Sequence, residues 1–156
     1  MKLTNWKRLA CFTAALLLLF TMAPFAQAAE NEISREIIYY EDGSWLEITV
    51  VQSLARAANT TTGFTRMIYT DNEGNTDWRA ILSGDYTYDG TTATCTNATC
   101  DVYIYDNAYY VASSSATKNG PTATGTFTIA RRVLGITVAR DTYTMTLTCN
   151  PDGDLS

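Results

Sequence analysis

The sequence predicts an all-β fold: an antiparallel β-sandwich with immunoglobulin-like packing, built from about eight to ten short strands. Three observations predict it. Tyr143, Met145, Leu147 and Cys149 alternate without a break with Thr142, Thr144, Thr146 and Thr148. A period of two throws successive side chains to opposite faces of an extended strand, so one face is apolar and the other a threonine ladder. Turn chemistry such as Asp42-Gly43, Asp89-Gly90 and Asn119-Gly120 punctuates the chain roughly every ten residues. Beyond residue 28 no stretch keeps a helical period.

Residues 1–28 read as a signal peptide. Lys2, Lys7 and Arg8 give a positive start, Leu9–Met22 an apolar run, Pro24 a break, and Ala26-Gln27-Ala28 a small-x-small cleavage pattern. The run is short for a bilayer span. Cleavage is therefore expected after Ala28, giving a secreted, extracellular protein with no membrane span after processing. What remains is long enough for one domain with a real core. Residues 29–34 are expected to form a flexible lead-in and 35–156 a single β-sandwich domain. Losing the leader removes three positive charges and no acids, so eight basic residues face sixteen acidic ones. An acidic surface of this kind disfavours nucleic acid and anionic membrane, which require Lys and Arg patches.

The strands follow in order. Arg35–Tyr40 and Ser44–Leu54 flank Glu41-Asp42-Gly43, a strong hairpin signal. In the second run Leu46, Ile48, Val50 and Leu54 share the inward parity, leaving Trp45, Glu47, Thr49 and Val51 for the other face. Ala55–Thr62 has no strand period and reads as a loop. Gly63–Thr70 and Asp77–Asp89 form a second hairpin across Asp71–Thr76, with Trp78, Ala80, Leu82, Tyr86 and Tyr88 inward. Gly84 lies among them, and the strand is expected to change direction near Ser83-Gly84. Thr91–Thr96 is broken from Thr99–Tyr105 by Asn97-Ala98; Asp106-Asn107 then turns into Tyr109–Ser115. Lys118-Asn119-Gly120-Pro121 turns into Thr122–Ala130. Arg131-Arg132 is expected to be a charged corner, with Val133–Ala139 leading to the closing strand.

Cys95, Cys100 and Cys149 remain after export, so one bridge and one extra thiol is the simplest count. Parity favours Cys100 with Cys149. Cys95 with Cys100 needs a tight fold-back at Asn97-Ala98, and Cys95 with Cys149 is the third possibility. Gly84-Asp85-Tyr86-Thr87-Tyr88, Thr91–Cys100, Lys118–Val138 and Thr142–Ser156 resemble a family of small secreted β-rich proteins of Gram-positive anaerobes. The resemblance covers roughly Thr65–Ser156. Its most specific part is the terminal Leu147-Thr148-Cys149 followed by a polar turn and Leu155-Ser156, and the family carries no assigned function. The resemblance implies a Cys95–Cys149 disulfide with Cys100 as the extra thiol. Either long bridge closes a loop of about fifty residues, worth about 4 kcal/mol in the chain-entropy picture.

The chain contains no histidine, which removes Ser-His-Asp and Cys-His sites and the commonest metal ligand. Three cysteines without zinc spacing and no phosphate loop point to no cofactor and no metal. Nearly all acids fall in turns, where capping explains them, so the reading is a non-enzyme. Asp71–Asp77 is the best calcium candidate, but it lacks EF-hand spacing and reads more simply as a hairpin turn. Among ten tyrosines, Tyr103, Tyr105 and Tyr109 form a candidate binding surface, because exposed aromatics stack on sugars or anchor a protein. The expected function is an extracellular, non-catalytic binding module for a protein or glycan partner. A secreted effector or bacteriocin-like antagonist is the alternative, and a small glycan hydrolase the third reading.

Overall fold

The computed structural model describes residues 30–53 and 58–156. The leader at 1–28, its cut after Ala28, and Leu54 lie outside the described residues. Eight strands form two antiparallel sheets. β1 (Glu30–Tyr39), β2 (Trp45–Ser53), β3 (Thr60–Thr70), β4 (Thr76–Tyr88) and β5 (Ala93–Ile104) make one sheet in that order. β6 (Tyr109–Asn119), β7 (Thr122–Val133) and β8 (Ile136–Thr148) make the other. The two sheets pack as the sandwich that the sequence predicts. The strand order is consecutive throughout, so the chain is one up-and-down meander folded in two, without the Greek-key crossover of immunoglobulin domains.

The core forms where inward parities of both sheets meet. Trp78, Leu82 and Tyr86 from β4 face Phe127 from β7 and Met145 and Leu147 from β8, all fully buried. Burying one such side chain contributes about 1.5–3 kcal/mol. The closing strand matches its pattern: Met145, Leu147 and Cys149 are buried, and Thr142–Thr148 pair outward with Thr128–Thr122 of β7. Hydroxyls meet across that ladder at 2.9 Å for Thr128–Thr142 and 3.1 Å for Thr122–Thr148.

Several boundaries differ from the sequence reading, each for a physical reason. β1 starts at Glu30, so Glu30–Ser34 is strand and not lead-in. Its polar residues suit an edge strand wet on both faces. Thr60–Thr62, read as loop, begin β3. The bend expected at Gly84 and the break at Asn97-Ala98 merge into one bulge, and β4 and β5 both run on without interruption. Pairing slips between Asp85 and Tyr86 because Asp85 faces Asn97 and Tyr86 faces Cys95, leaving Thr96 extra. Thr96 Oγ1 donates to Asp85 O at 3.0 Å and holds the bulge. That extra residue resets the parity, which is why Cys95 and Cys100, five apart, both turn toward the second sheet.

Arg131-Arg132 is not a corner. β7 runs through both to Val133, and the turn is Leu134-Gly135, with φ of 49° and 80°. Within the strand each arginine lies over an aromatic ring: Arg131 over Tyr109 at 5.9 Å and Arg132 over Tyr110 at 3.9 Å. On β2, Leu46 is buried and Ile48 and Val50 pack on the core, as expected. Yet Thr49 and Val51, assigned to the wet face, are buried too. Thr49 is flanked in register by Arg35 and Arg66, and Val51 by Phe64, whose long side chains shield the strand between them.

One side of the sandwich is sealed and the other is open. β5 is tied to β6 and the turn after it by Cys95 N donating to Gly120 O at 2.7 Å and Ser114 Oγ donating to Cys100 O at 2.9 Å. Lys118 Nζ adds a bond to Thr96 O. On the far side β1 and β8 are terminal strands of their sheets.

Candidate functional site: an aromatic groove at the open end

A meander brings the ends of odd strands and the starts of even strands to the same end of the sandwich. Here that end collects Tyr40 after β1, Ser44 before β2, Tyr69 late in β3, Trp78 early in β4, Tyr109 at the start of β6 and Arg131 late in β7. Asp141 and Tyr143 of β8 complete the wall of an open groove of about 480 Å³ between the sheets. This lies within the size range of small-ligand sites.

The floor is a chain of rings. Tyr69 stacks on Trp78 with centroids 5.6 Å apart and planes 7° from parallel. Trp78 meets Tyr143 at 5.0 Å and Phe127 edge-on at 5.6 Å, and Phe127 stacks on Tyr143 at 5.3 Å. Tyr40 and Tyr109 lean on Tyr69 from either side at 6.0 and 6.3 Å. The inner rings, Trp78 and Phe127, are locked by core packing, and Tyr40, Tyr69, Tyr109 and Tyr143 around them are only partly covered. Such pairs contribute about 0.5–1.5 kcal/mol each beyond area burial, so the groove is held rigid.

Polar groups ring the floor. Tyr69 donates to Ser44 Oγ at 3.0 Å, and Ser44 Oγ donates to Asp42 Oδ1 at 2.6 Å, with Ser44 N adding a bond at 3.0 Å. These bonds hold the Asp42 carboxyl below its ordinary range. Asp77 is buried; desolvation pushes its carboxyl up, opposed by a hydrogen bond from Tyr109. Burial likewise raises the Tyr109 and Tyr143 hydroxyls, which stay neutral donors at physiological pH. Asp141 pairs with Ile129 in the β7–β8 ladder and so faces the groove beside Arg131. The mouth thus offers carboxylate acceptors, phenol donors and one guanidinium around flat apolar faces.

The three tyrosines singled out in the sequence do not form one surface. Tyr103 and Tyr105 share the outward parity of β5 and lie over Arg79, at 4.9 and 5.9 Å from its guanidinium carbon. The Asp106–Ala108 turn then carries the chain to the other sheet, so Tyr109 faces inward and joins the groove. Tyr69, Trp78 and Tyr143 carry no site signal in the sequence reading. The signal that could have found them was their shared inward parity at one common end of a meander. The calcium candidate is a capped turn: Asp71 Oδ1 accepts from Glu73 N at 2.9 Å and Asn75 N at 2.8 Å, and Gly74 takes φ of 90°. Among the described residues no cluster of three or more acid or cysteine side chains is placed to hold a metal ion.

The structure carries no disulfide bond among the described residues. Cys95 N donates to Gly120 O and Cys149 N to Pro121 O, so the two residues flank one dipeptide of the β6–β7 turn. Cys100 sits elsewhere, against Gly125 and Leu82. Compared with known proteins, the chain matches no family model, and no curated protein or solved structure is significantly similar to it.

Proposed function

We propose that this is an exported, non-catalytic binding module whose groove takes a neutral sugar chain. The single observation that carries the reading is the aromatic lining of the groove, Tyr40, Tyr69, Tyr109 and Tyr143 backed by the buried Trp78, opening between the sheets beside Asp42, Asp141 and Arg131. Sugar rings present apolar C–H faces and a rim of hydroxyls that both donate and accept. Ring faces satisfy the first, and a mixed carboxylate–guanidinium–phenol rim satisfies the second. Two carboxylates in the groove lining, Asp42 and Asp141, against one arginine disfavour an anionic ligand. Hydrolysis is a weaker reading: Asp42 is held ionised by Ser44, and Asp77, the raised carboxyl, is engaged by Tyr109.

Export rests on the leader at 1–28, and an oxidising exterior supports a disulfide. Between the open pairings, the shared β6–β7 turn favours Cys95 with Cys149, with Cys100 as the extra thiol. Burial pushes the Cys95 and Cys100 thiols up, away from the thiolate form that nucleophilic chemistry needs. The test of the function is a glycan array followed by calorimetry on the hits. The expected result is binding to neutral oligosaccharides that Tyr40→Ala weakens by about tenfold or more. Silence across the array, or binding that Tyr40→Ala and Asp42→Asn leave unchanged, contradicts the reading.

A further inference from the structure

The exposed apolar side chains of this protein are not scattered. Ile33, Ile37, Ile38, Tyr39 and Tyr40 lie on or just after β1, and Val133, Leu134, Ile136 and Val138 on the β7–β8 hairpin. Apart from Tyr103 and Tyr105, these account for every large exposed hydrophobic among the described residues. The same two places are the unsealed edges of the two sheets. At the other side β5 and β6 cover one another, and even the end of β8 is capped by Ser156, which exchanges backbone bonds with Thr148 at 2.8 and 2.9 Å. Edge strands that are long, partly apolar and uncovered are templates for adding a further strand.

Charge decides what is added. β1 and its turn carry Glu30, Glu32, Glu36, Glu41 and Asp42 against Arg35 alone, and Arg35 is engaged by Glu32 at 3.0 Å. The β7–β8 hairpin carries Arg131, Arg132 and Arg140 against Asp141, three of the eight basic residues in an otherwise acidic domain. Pairing β1 with β1 would set acid on acid, and pairing β8 with β8 base on base. Pairing β1 of one copy with β8 of another sets acid on base and apolar on apolar.

We infer that the protein self-assembles head to tail, the β1 edge of one copy adding to the open stretch of β8, Ile136–Thr144, on the next. Such a contact is heterologous: every open oligomer keeps one unused β1 edge and one unused β8 edge at its two ends, so growth continues into chains unless the geometry closes a ring. The groove mouth lies between these two edges, since Tyr40 ends one and Asp141 belongs to the other. Assembly therefore places grooves in a row along the chain, which converts weak single-site binding into avidity for a polymer.

Sedimentation velocity of the purified protein across a concentration series tests this. The expected pattern is monomer at low concentration and a growing ladder of species as concentration rises, shifted back to monomer by high salt. Arg132→Glu with Arg140→Glu, and separately Glu30→Lys with Glu36→Lys, should each weaken assembly by about tenfold. All four positions are exposed, so circular dichroism of each variant should match the parent. Mixing the two variants in equal amounts should restore assembly, because each then finds an opposite edge on the other. A protein that stays monomeric at every concentration overturns the inference. So does a ladder that either double variant leaves unchanged, or a mixture that fails to recover.

Discussion

Gly84 shows how one residue can be fixed by another's ring. A Cβ built there would stand 2.5 Å from the Tyr86 hydroxyl and 2.7 Å from its ring. That ring is fully buried and its hydroxyl donates to Leu147 O at 2.7 Å, tying the two sheets together. Gly84→Ala is expected to displace Tyr86 and cost about 2–3 kcal/mol in chemical denaturation, within the range of overpacked cores. Tyr86→Phe isolates the hydrogen bond and should cost about 1–2 kcal/mol, because it leaves the carbonyl without that donor. If the two substitutions together cost the simple sum, the displacement account fails, since they act on the same ring. Gly84 was legible in the sequence as an anomaly on an inward parity. Its cause was not, because a ring folding back two residues along the strand leaves no periodic trace.

At the scale of elements, the turns and the proposed staple carry the testable energetics. Hydrogen bonds from backbone and side chains hold Asp42, Asp71 and Asp89 below the usual carboxylate range. A depressed folded pKa stabilises above the unfolded value and loses that stabilisation as pH falls through the folded one. Asp77, raised by burial, has the opposite sign: its charge is penalised in the fold, and protonating it on acidification removes the penalty. Three against one, thermal stability should fall below about pH 4, and Asp71→Asn with Asp89→Asn should flatten that fall. For the proposed Cys95–Cys149 bridge, reductant should lower the melting midpoint by about 10 °C or more. Cys95→Ser and Cys149→Ser should each reproduce that loss and Cys100→Ser should not; a melt insensitive to reductant argues against the bridge. The hairpins at Asp42-Gly43 and Asp71–Asn75 were legible because turn residues need special backbone angles or side-chain caps. β1 before Arg35 was not, since an edge strand exposed on both faces has no reason to alternate. The true β7–β8 turn was hidden as well: Leu134 at positive φ carries no turn signature, while Arg131-Arg132 imitates one.

At the scale of the whole molecule, parity read from the sequence was enough to fill the core between the sheets, but it could not say which strand ends share a rim. That depends on connectivity, and the meander makes the rim from residues as distant as Tyr40 and Tyr143. Tyr103 and Tyr105 look like partners of Tyr109 in one dimension and are parted by a sheet-changing turn in three. The same connectivity leaves β1 and β8 as open edges either side of the groove, linking the binding proposal to the assembly proposal without making either depend on the other. The measurement that tests the groove most directly is residue-resolved NMR during titration with an oligosaccharide. The account predicts shifts concentrated on the Trp78 indole, Tyr40, Asp42, Tyr109 and Arg131, saturating together. Shifts that gather instead on the threonine ladder or on Tyr103 and Tyr105, or that fail to arise with any neutral oligosaccharide, would contradict it.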